Sequence, residues 1–152
     1  MIRKITLQDK ELFLQLAKEF YHSEAVLKPV PVSYHERAFN EMMRSDTYLG
    51  GYMIEDNGEV AGYALTAKTY SHEAGGLALW VEELYVQEGH RSKGLGKEFF
   101  AYLNATLDDS IARIRLEVEE ENEGAVRLYK KMGFHDLEYN QLVIDRDENS
   151  EE

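Results

Sequence analysis

The chain is predicted to be α/β, with one mixed sheet and helices on both of its faces. Three observations carry this. Apolar residues repeat at three and four in some stretches and at two in others. The two periods alternate in the order β-α-α-β-β-β-α-β-α-β. No repeat, linker or low-complexity segment interrupts them before Asp145. At about 150 residues per domain, the 152 residues make one domain, expected over residues 1–144 with an acidic, frayed tail over 145–152.

Ile2–Ile5 is short and apolar at both ends, which suits an edge strand. Thr6 followed by Asp9 is a near capping box, and Leu12, Phe13, Leu16, Ala17 and Phe20 form one stripe on a helix over Leu7–Tyr21. Pro29 and Pro31 keep His22–Val32 out of regular helix. Ser33 and Glu36 predict a second capping box, opening a helix to Arg44 that buries Phe39 and Met42 or Met43. The period then drops to two. Tyr48–Glu55 and Val60–Ala67 predict strands joined through Asn57-Gly58, a pair that tolerates the positive φ of a tight hairpin. Leu77–Val86 is a third strand, rich in aromatic and branched residues. Helical spacing returns over Gly94–Leu107, with Leu95, Phe99, Leu103 and Leu107 on one face. Ile111–Val118 predicts a strand, and Asn122–Met132 a helix with Ala125, Leu128, Tyr129 and Met132 at core spacing. Phe134–Ile144 is expected to finish the fold as one or two strands.

Lys and Arg number 17 against 29 Asp and Glu, a formal net charge of −12. A surface of that sign repels phosphate backbones, which argues against nucleic acid as a partner, and attracts cationic small molecules or basic peptides. The absence of cysteine excludes a disulfide scaffold, a Cys-ligated metal and a thiol nucleophile, and it fits the cytoplasm. Charges at positions 3, 4, 9, 10 and 11 argue against a signal peptide, and no stretch approaches the roughly 18 apolar residues of a membrane span. His22, His35, His72, His90 and His135 are never at ligand spacing, so no metal site is expected.

The chemistry concentrates after the third strand, where Val86–Gly96 reads VQEGHRSKGLG. Gly94 and Gly96 stand at the entry of a helix, where backbone amides have no intrahelical partner and the helix dipole favours negative charge. Arg91, Lys93 and Lys97 add local positive charge in an acidic protein. A Walker loop and a dinucleotide fingerprint both need glycine spacings that are absent. The residues alone leave two readings, a pyrophosphate cradle or a flexible turn.

Arg91-x-x-Gly94-x-Gly96 resembles the Arg/Gln-x-x-Gly-x-Gly/Ala motif of the GCN5-related N-acetyltransferases. Asn122-x-x-Ala125-x-x-Leu128-Tyr129-x-x-x-Gly133-Phe134 resembles the family's second cofactor-contacting segment. Trp80–Val86 (WVEELYV) is similar to the strand of the branch typified by spermidine/spermine and related small-amine acetyltransferases. The three motifs cover Leu79 to Phe134, and the element order of the whole chain matches that family's mixed, mostly antiparallel sheet with about four helices. Two departures stand out: Glu88-Gly89 replaces a usual Pro-Glu, and Ser92 replaces a usual glycine.

The resemblance implies acetyl-coenzyme A as co-substrate and an amine as acceptor. Its pyrophosphate would sit on amides of Ser92, Lys93, Gly94, Leu95, Gly96 and Lys97, with Arg91 opening the turn. Backbone groups of Leu84, Tyr85 and Val86 would pair with the pantetheine arm, an amide near Leu84 facing the thioester oxygen. Asn122 and Ala125 would support that arm from the second segment. Glu82 is the base candidate, or a binder of a cationic acceptor; Tyr129 would meet the coenzyme sulfur as general acid or as hydrogen-bond donor. Tyr21 and Glu24, beside the proline segment, lie where the family builds its acceptor wall, and Glu83 is a further acceptor-facing candidate. The acidic run Glu117, Glu119, Glu120, Glu121 and Glu123 suits an acceptor route or a solvated face. The reading is an N-acetyltransferase working by direct transfer to a small cationic amine, soluble, away from membranes, and paired as a homodimer. Acetylation of protein N-termini or lysines, or coenzyme binding without catalysis, are its rivals.

Overall fold

The alternating periods become nine elements in a computed structural model, which describes residues 1–146 as two units, Met1–Glu117 and Val118 onward. The first unit holds β1 (Ile2–Lys4), α1 (Lys10–Tyr21), α2 (Val32–Arg44), β2 (Leu49–Asp56), β3 (Glu59–Ser71), β4 (Gly76–Val86), α3 (Leu95–Thr106) and β5 (Ile111–Leu116). The second holds α4 (Glu123–Lys131).

The strands form one sheet in the order β1-β2-β3-β4-β5. Every neighbouring pair is antiparallel except β4–β5, which is parallel. A parallel pair needs a crossover, and α3 lies in that connection. The β2–β3 hairpin turns on Asn57 (φ 52°) and Gly58 (φ 83°), the double left-handed conformation expected of Asn-Gly.

Consecutive residues of a strand face opposite sides of the sheet. Met53 is fully buried and packs with Tyr63 and Leu65 against Phe13, Leu16, Phe20, Phe39 and Met42 of α1 and α2. Its neighbour Tyr52 meets Phe99 and Tyr102 of α3, with ring centroids 5.8 and 5.7 Å apart. Helices therefore cover both faces. Each large apolar side chain removed from water here contributes about 2 kcal/mol.

Local rules hold at the start of the chain and fail in two other places. A short 3-10 turn, Leu7–Asp9, precedes α1, and the Asp9 carboxylate accepts from the Thr6 amide at 2.8 Å, as the box predicts. Ser33 does not cap α2. The helix begins one residue earlier, with Pro31 (φ −56°, ψ 144°) at the cap position and its carbonyl accepting from the Tyr34 amide at 2.9 Å. The ring sets φ there, and ψ 144° makes the entry extended, leaving Ser33 inside the first turn. In the second unit the expected strands over Phe134–Ile144 are not formed among the described residues. Alternation shows that a segment suits a sheet, but its hydrogen bonds need a neighbouring strand. Of the acidic tail, only Asp145 and Arg146 fall within the described residues, and both are exposed.

Arg3 ties the edge of the sheet to this first turn. Its guanidinium donates to Asp9 at 2.8 and 2.9 Å and to Glu55 at 2.5 Å. The hydrogen bond from Arg3 lowers the buried Asp9 carboxyl from 3.8 to about 2, against an opposing effect of burial. A depressed carboxyl stabilises the fold above its unfolded value, and that contribution is lost as pH falls through the folded value. The expected loss is about 2 kcal/mol between pH 4 and pH 2. Urea unfolding across that range should show it, and Asp9→Asn should both lower stability at pH 7 and flatten this part of the profile.

Candidate functional site

The site begins with a mismatch in β4. Leu65 pairs with Glu83 and Thr66 with Val81, so Glu82 is an extra residue without a partner, a β-bulge. On the other edge, β5 pairs with β4 only from Leu77 to Val81, ending at Leu116. Beyond the bulge, Leu84, Tyr85 and Val86 remain paired with Ala64, Tyr63 and Gly62 of β3, and no β5 residue lies opposite them. Among the described residues no strand pairs with this edge, where the Val86 carbonyl accepts from Arg91, and an extended ligand can add to it. Gly62 permits the close approach of the two strands: a Cβ there would lie 1.9 Å from the Tyr85 carbonyl oxygen. Before the bulge, the Arg115 guanidinium lies 4.1 Å from the ring centroid of Trp80.

The turn after β4 is held by side chains from both its ends. Arg91 donates from Nε to the Val86 carbonyl at 2.8 Å. Asp56, at the end of β2, meets His90 Nδ1 at 2.8 Å and Lys93 Nζ at 2.9 Å. Ser92 (φ 64°) and Gly94 (φ 81°) are both left-handed, so Ser92 adopts the conformation that the usual glycine would reach more cheaply. Gly94 is the cap residue of α3, and the Glu98 amide is bonded to its carbonyl at 3.0 Å. The amides of Leu95, Gly96 and Lys97 come before that first helical bond and therefore have no acceptor in their own helix. Together with the dipole they form an anion-binding end.

The two adjacent carboxylates differ sharply. Glu82 is exposed, yet burial of its carboxyl by its surroundings and the charge of Glu117 push it above the ordinary glutamate range. Glu83 accepts from Tyr63 Oη at 2.7 Å and from Tyr21 Oη at 2.8 Å. Burial raises its carboxyl, the two phenols oppose that, and the nearby Glu82 adds to the rise. Burial, reinforced by Glu83, also pushes both phenols up. Two residues before Tyr21 on α1, Glu19 accepts from Tyr85 Oη at 3.0 Å and Gln87 Nε2 at 3.1 Å. Burial acts to raise Glu19, but bonds from Gln87, Gln15 and Tyr85 hold it below the usual range. In a regular strand Glu83 would share the side of Val81, but the bulge places it on the side of Tyr63 and Leu65. Tyr21 and Glu83 are thus brought together, whereas Glu24 is exposed on the following turn and outside this cluster.

In the second unit, the Asn122 side chain caps α4 by accepting from the Ala125 amide at 3.3 Å. The helix ends in a Schellman motif: the Phe134 amide reaches the Tyr129 carbonyl and the Gly133 amide the Lys130 carbonyl, both at 3.1 Å, with Gly133 at φ 99°. The rings of Tyr129 and Phe134 lie 5.9 Å apart, the apolar contact that accompanies this stop. Burial raises the Tyr129 phenol. The Gly-Phe of the sequence motif is therefore first a helix terminator. Residues 117–123 are exposed.

Three residues of this network escape sequence reasoning: Tyr63, Glu19 and Asp56. Tyr63 and Glu19 lie in ordinary core and helix patterns and gain their meaning from distant partners. Asp56 is part of a hairpin signal, which gives no hint of the turn it anchors.

The profile of the Acetyltransferase (GNAT) family matches residues 11–134. A thialysine N-epsilon-acetyltransferase of Bos taurus is 28% identical over 151 residues, covering 90% of this chain and 85% of the relative. A spermine/spermidine N(1)-acetyltransferase of Bacillus subtilis (strain 168) is 29% identical over 90 residues, covering 55% of this chain and 59% of the relative. Among solved structures, a predicted acetyltransferase with acetyl-CoA from Clostridium acetobutylicum superposes with a TM-score of 0.75 at 21% identity, covering 94% of this chain and 95% of that one. An aminoglycoside N-acetyltransferase in complex with CoA gives 0.77 at 17% identity, covering 97% and 95%. At these identities the structures carry the fold.

The turn makes a direct prediction. A side chain at Gly94 meets no atom within 4 Å, so Gly94→Ala is opposed only by its backbone angle, φ 81°. That strain is about 1 kcal/mol. Calorimetry with coenzyme A should show weaker binding, about fivefold or more, with only a small fall in melting temperature.

Proposed function

Because this chain belongs to the acetyltransferase (GNAT) family, matched over residues 11–134, we propose that it transfers acetyl from acetyl-coenzyme A directly to a primary amine of a small, cationic acceptor. The observation that carries the reading is the open edge of β4 beyond Glu82, running into the amide-lined entry of α3. The small-amine enzymes among the relatives and the net charge of −12 support the acceptor class.

Acetyl-coenzyme A supplies the acetyl group as an activated thioester. The residues present fit such a ligand: left-handed Ser92 and Gly94 present the α3 amides, and the strand edge offers pairing groups for an amide-bearing arm. In this reading Arg91 and the amides of Ser92–Lys97 hold the pyrophosphate, and backbone groups of Leu84, Tyr85 and Val86 orient the arm, which reduces the barrier by alignment. An amide near Leu84 stabilises negative charge developing on the carbonyl oxygen. Glu82 takes the proton that the attacking nitrogen must lose, and Tyr129 supplies one to the departing sulfur. Asn122 and Ala125 support the arm from α4. With no cysteine in the chain, direct transfer needs no thiol acyl-enzyme.

We also assign a homodimer. Leu142, Val143 and Ile144 are 97%, 80% and 91% exposed, an apolar run that suits a partner surface. Among the described residues no helix is long and apolar enough to cross a membrane, and the absence of cysteine supports a cytoplasmic setting. Light scattering should give twice the chain mass; the single-chain mass at working concentration would remove the dimer.

Kinetics with polyamines, amino acids, aminoglycosides and short peptides test the acceptor. Turnover should be best with cationic amines, and a preference for neutral or anionic ones would overturn the class. A raised carboxyl delays the base form, so kcat/KM should rise with pH through a limb above the ordinary glutamate range. Glu82→Gln should lower kcat/KM by about 100-fold and remove that limb. An unchanged limb would leave Glu82 a binding role alone. Tyr129→Phe should lower kcat by about 100-fold with little change in either KM.

A further inference from the structure

Glu82 and Glu83 are consecutive on β4 but have opposite surroundings. Glu82 is the unpaired residue of the bulge and is exposed. Glu83 sits opposite Leu65 and uses both oxygens: Oε1 accepts from Tyr63 at 2.7 Å and Oε2 from Tyr21 at 2.8 Å. Tyr63 is fully buried in β3, its ring edge-on to Phe13 at 5.4 Å and to Phe20 at 6.2 Å. Tyr21 is the last residue of α1, its ring against Phe20 at 5.6 Å and His35 of α2 at 5.0 Å. One carboxylate thus joins the bulge to the sheet and to the end of the helix.

A bulged residue has no ladder partner to fix its direction. Here the next residue takes that role, through hydrogen bonds to a carboxylate, which are short and strong. The Glu19 bonds to Tyr85 and Gln87 repeat the attachment farther along the same strand. The backbone that leaves α1 at Tyr21 enters the 22–31 segment, so the Tyr21–Glu83 bond also sets where that segment starts.

We infer that Glu83 is a positioning residue for the acceptor side of the site: by holding Tyr21 and Tyr63 it fixes both the direction in which the bulge projects Glu82 and the point at which the 22–31 segment departs. This rests on the transfer reading above, and it gives Tyr21 and Glu83 a role exerted through Glu82 and the segment, without contact with the acceptor. Tyr21 on α1, Tyr63 on β3 and Glu82 on β4 act on Glu83 directly; behind them lie His35 of α2 against Tyr21, Tyr85 against Tyr63, Glu19 on Tyr85, and Glu117 beside Glu82.

The test compares Tyr21→Phe and Glu83→Gln with the wild-type chain, measuring kcat, both KM values and the pH profile on the best amine of the panel. Tyr21→Phe keeps the ring and deletes one hydrogen bond. It should raise the acceptor KM about tenfold and leave the acetyl-coenzyme A KM unchanged. Glu83→Gln should do the same and lower kcat/KM along its acid limb, because the direction of Glu82 is no longer fixed. If Glu83→Gln does not fold, Tyr21→Phe decides alone. Variants that lose melting temperature but keep the acceptor KM and the acid limb would make Glu83 a fold contact and overturn the inference. A wild-type chain that acetylates no amine would instead overturn the transfer reading, and this inference with it.

Discussion

An antiparallel ladder on one edge of β4 and a parallel ladder on the other impose different hydrogen-bond spacings on the same backbone. One extra residue, Glu82, is where the strand stops satisfying both. The antiparallel pairing with β3 continues to Val86, helped by the missing side chain at Gly62, while the parallel pairing with β5 ends at Val81. The open edge, the outward carboxylate and the turn into α3 all descend from that local mismatch. Without the bulge, Glu83 would return to the side of Val81, and its bonds to Tyr63 and Tyr21 would be lost.

Electrostatics in this protein works by contrast. A chain with net charge −12 keeps a small positive element where amides, Arg91 and Lys97 converge on the α3 entry. Lys93 is not simply available there, because Asp56 holds it at 2.9 Å together with His90. That arrangement stiffens the turn, which matters when two residues, Ser92 and Gly94, are left-handed. At the bulge itself acidic groups prevail: Glu82, Glu83 and Glu117. Such a field would favour an anionic group at the α3 entry and a cationic one at the bulge.

What was legible in the sequence is what is encoded locally. The Asn57-Gly58 hairpin, the Thr6–Asp9 contact, the Asn122 cap and the glycine turn each depend on residues within a few positions of one another. The fold class followed from periodicity, and the glycine and Asn122 motifs mark the entry of α3 and the cap of α4. The bulge was not legible, because register is a property of two strands. Nor was the Tyr21–Glu83 bond, which spans 62 positions, or the partnership of Glu19 with Tyr85, which spans 66. Ser33 misled because Pro31, with a stronger constraint on its own backbone, starts the helix first. The strand pattern of Phe134–Ile144 described a preference that needs a neighbour to be realised.

Trp80, the only tryptophan of the chain, stacks beneath Arg115 two residues before the bulge, on the strand whose far end is open. Indole emission depends on the polarity and charge immediately around the ring, and here that surrounding is set by the β4–β5 pairing just where it ends. The protein therefore carries an optical gauge of its own strand edge. Its fluorescence reports on one defined location without any label being introduced.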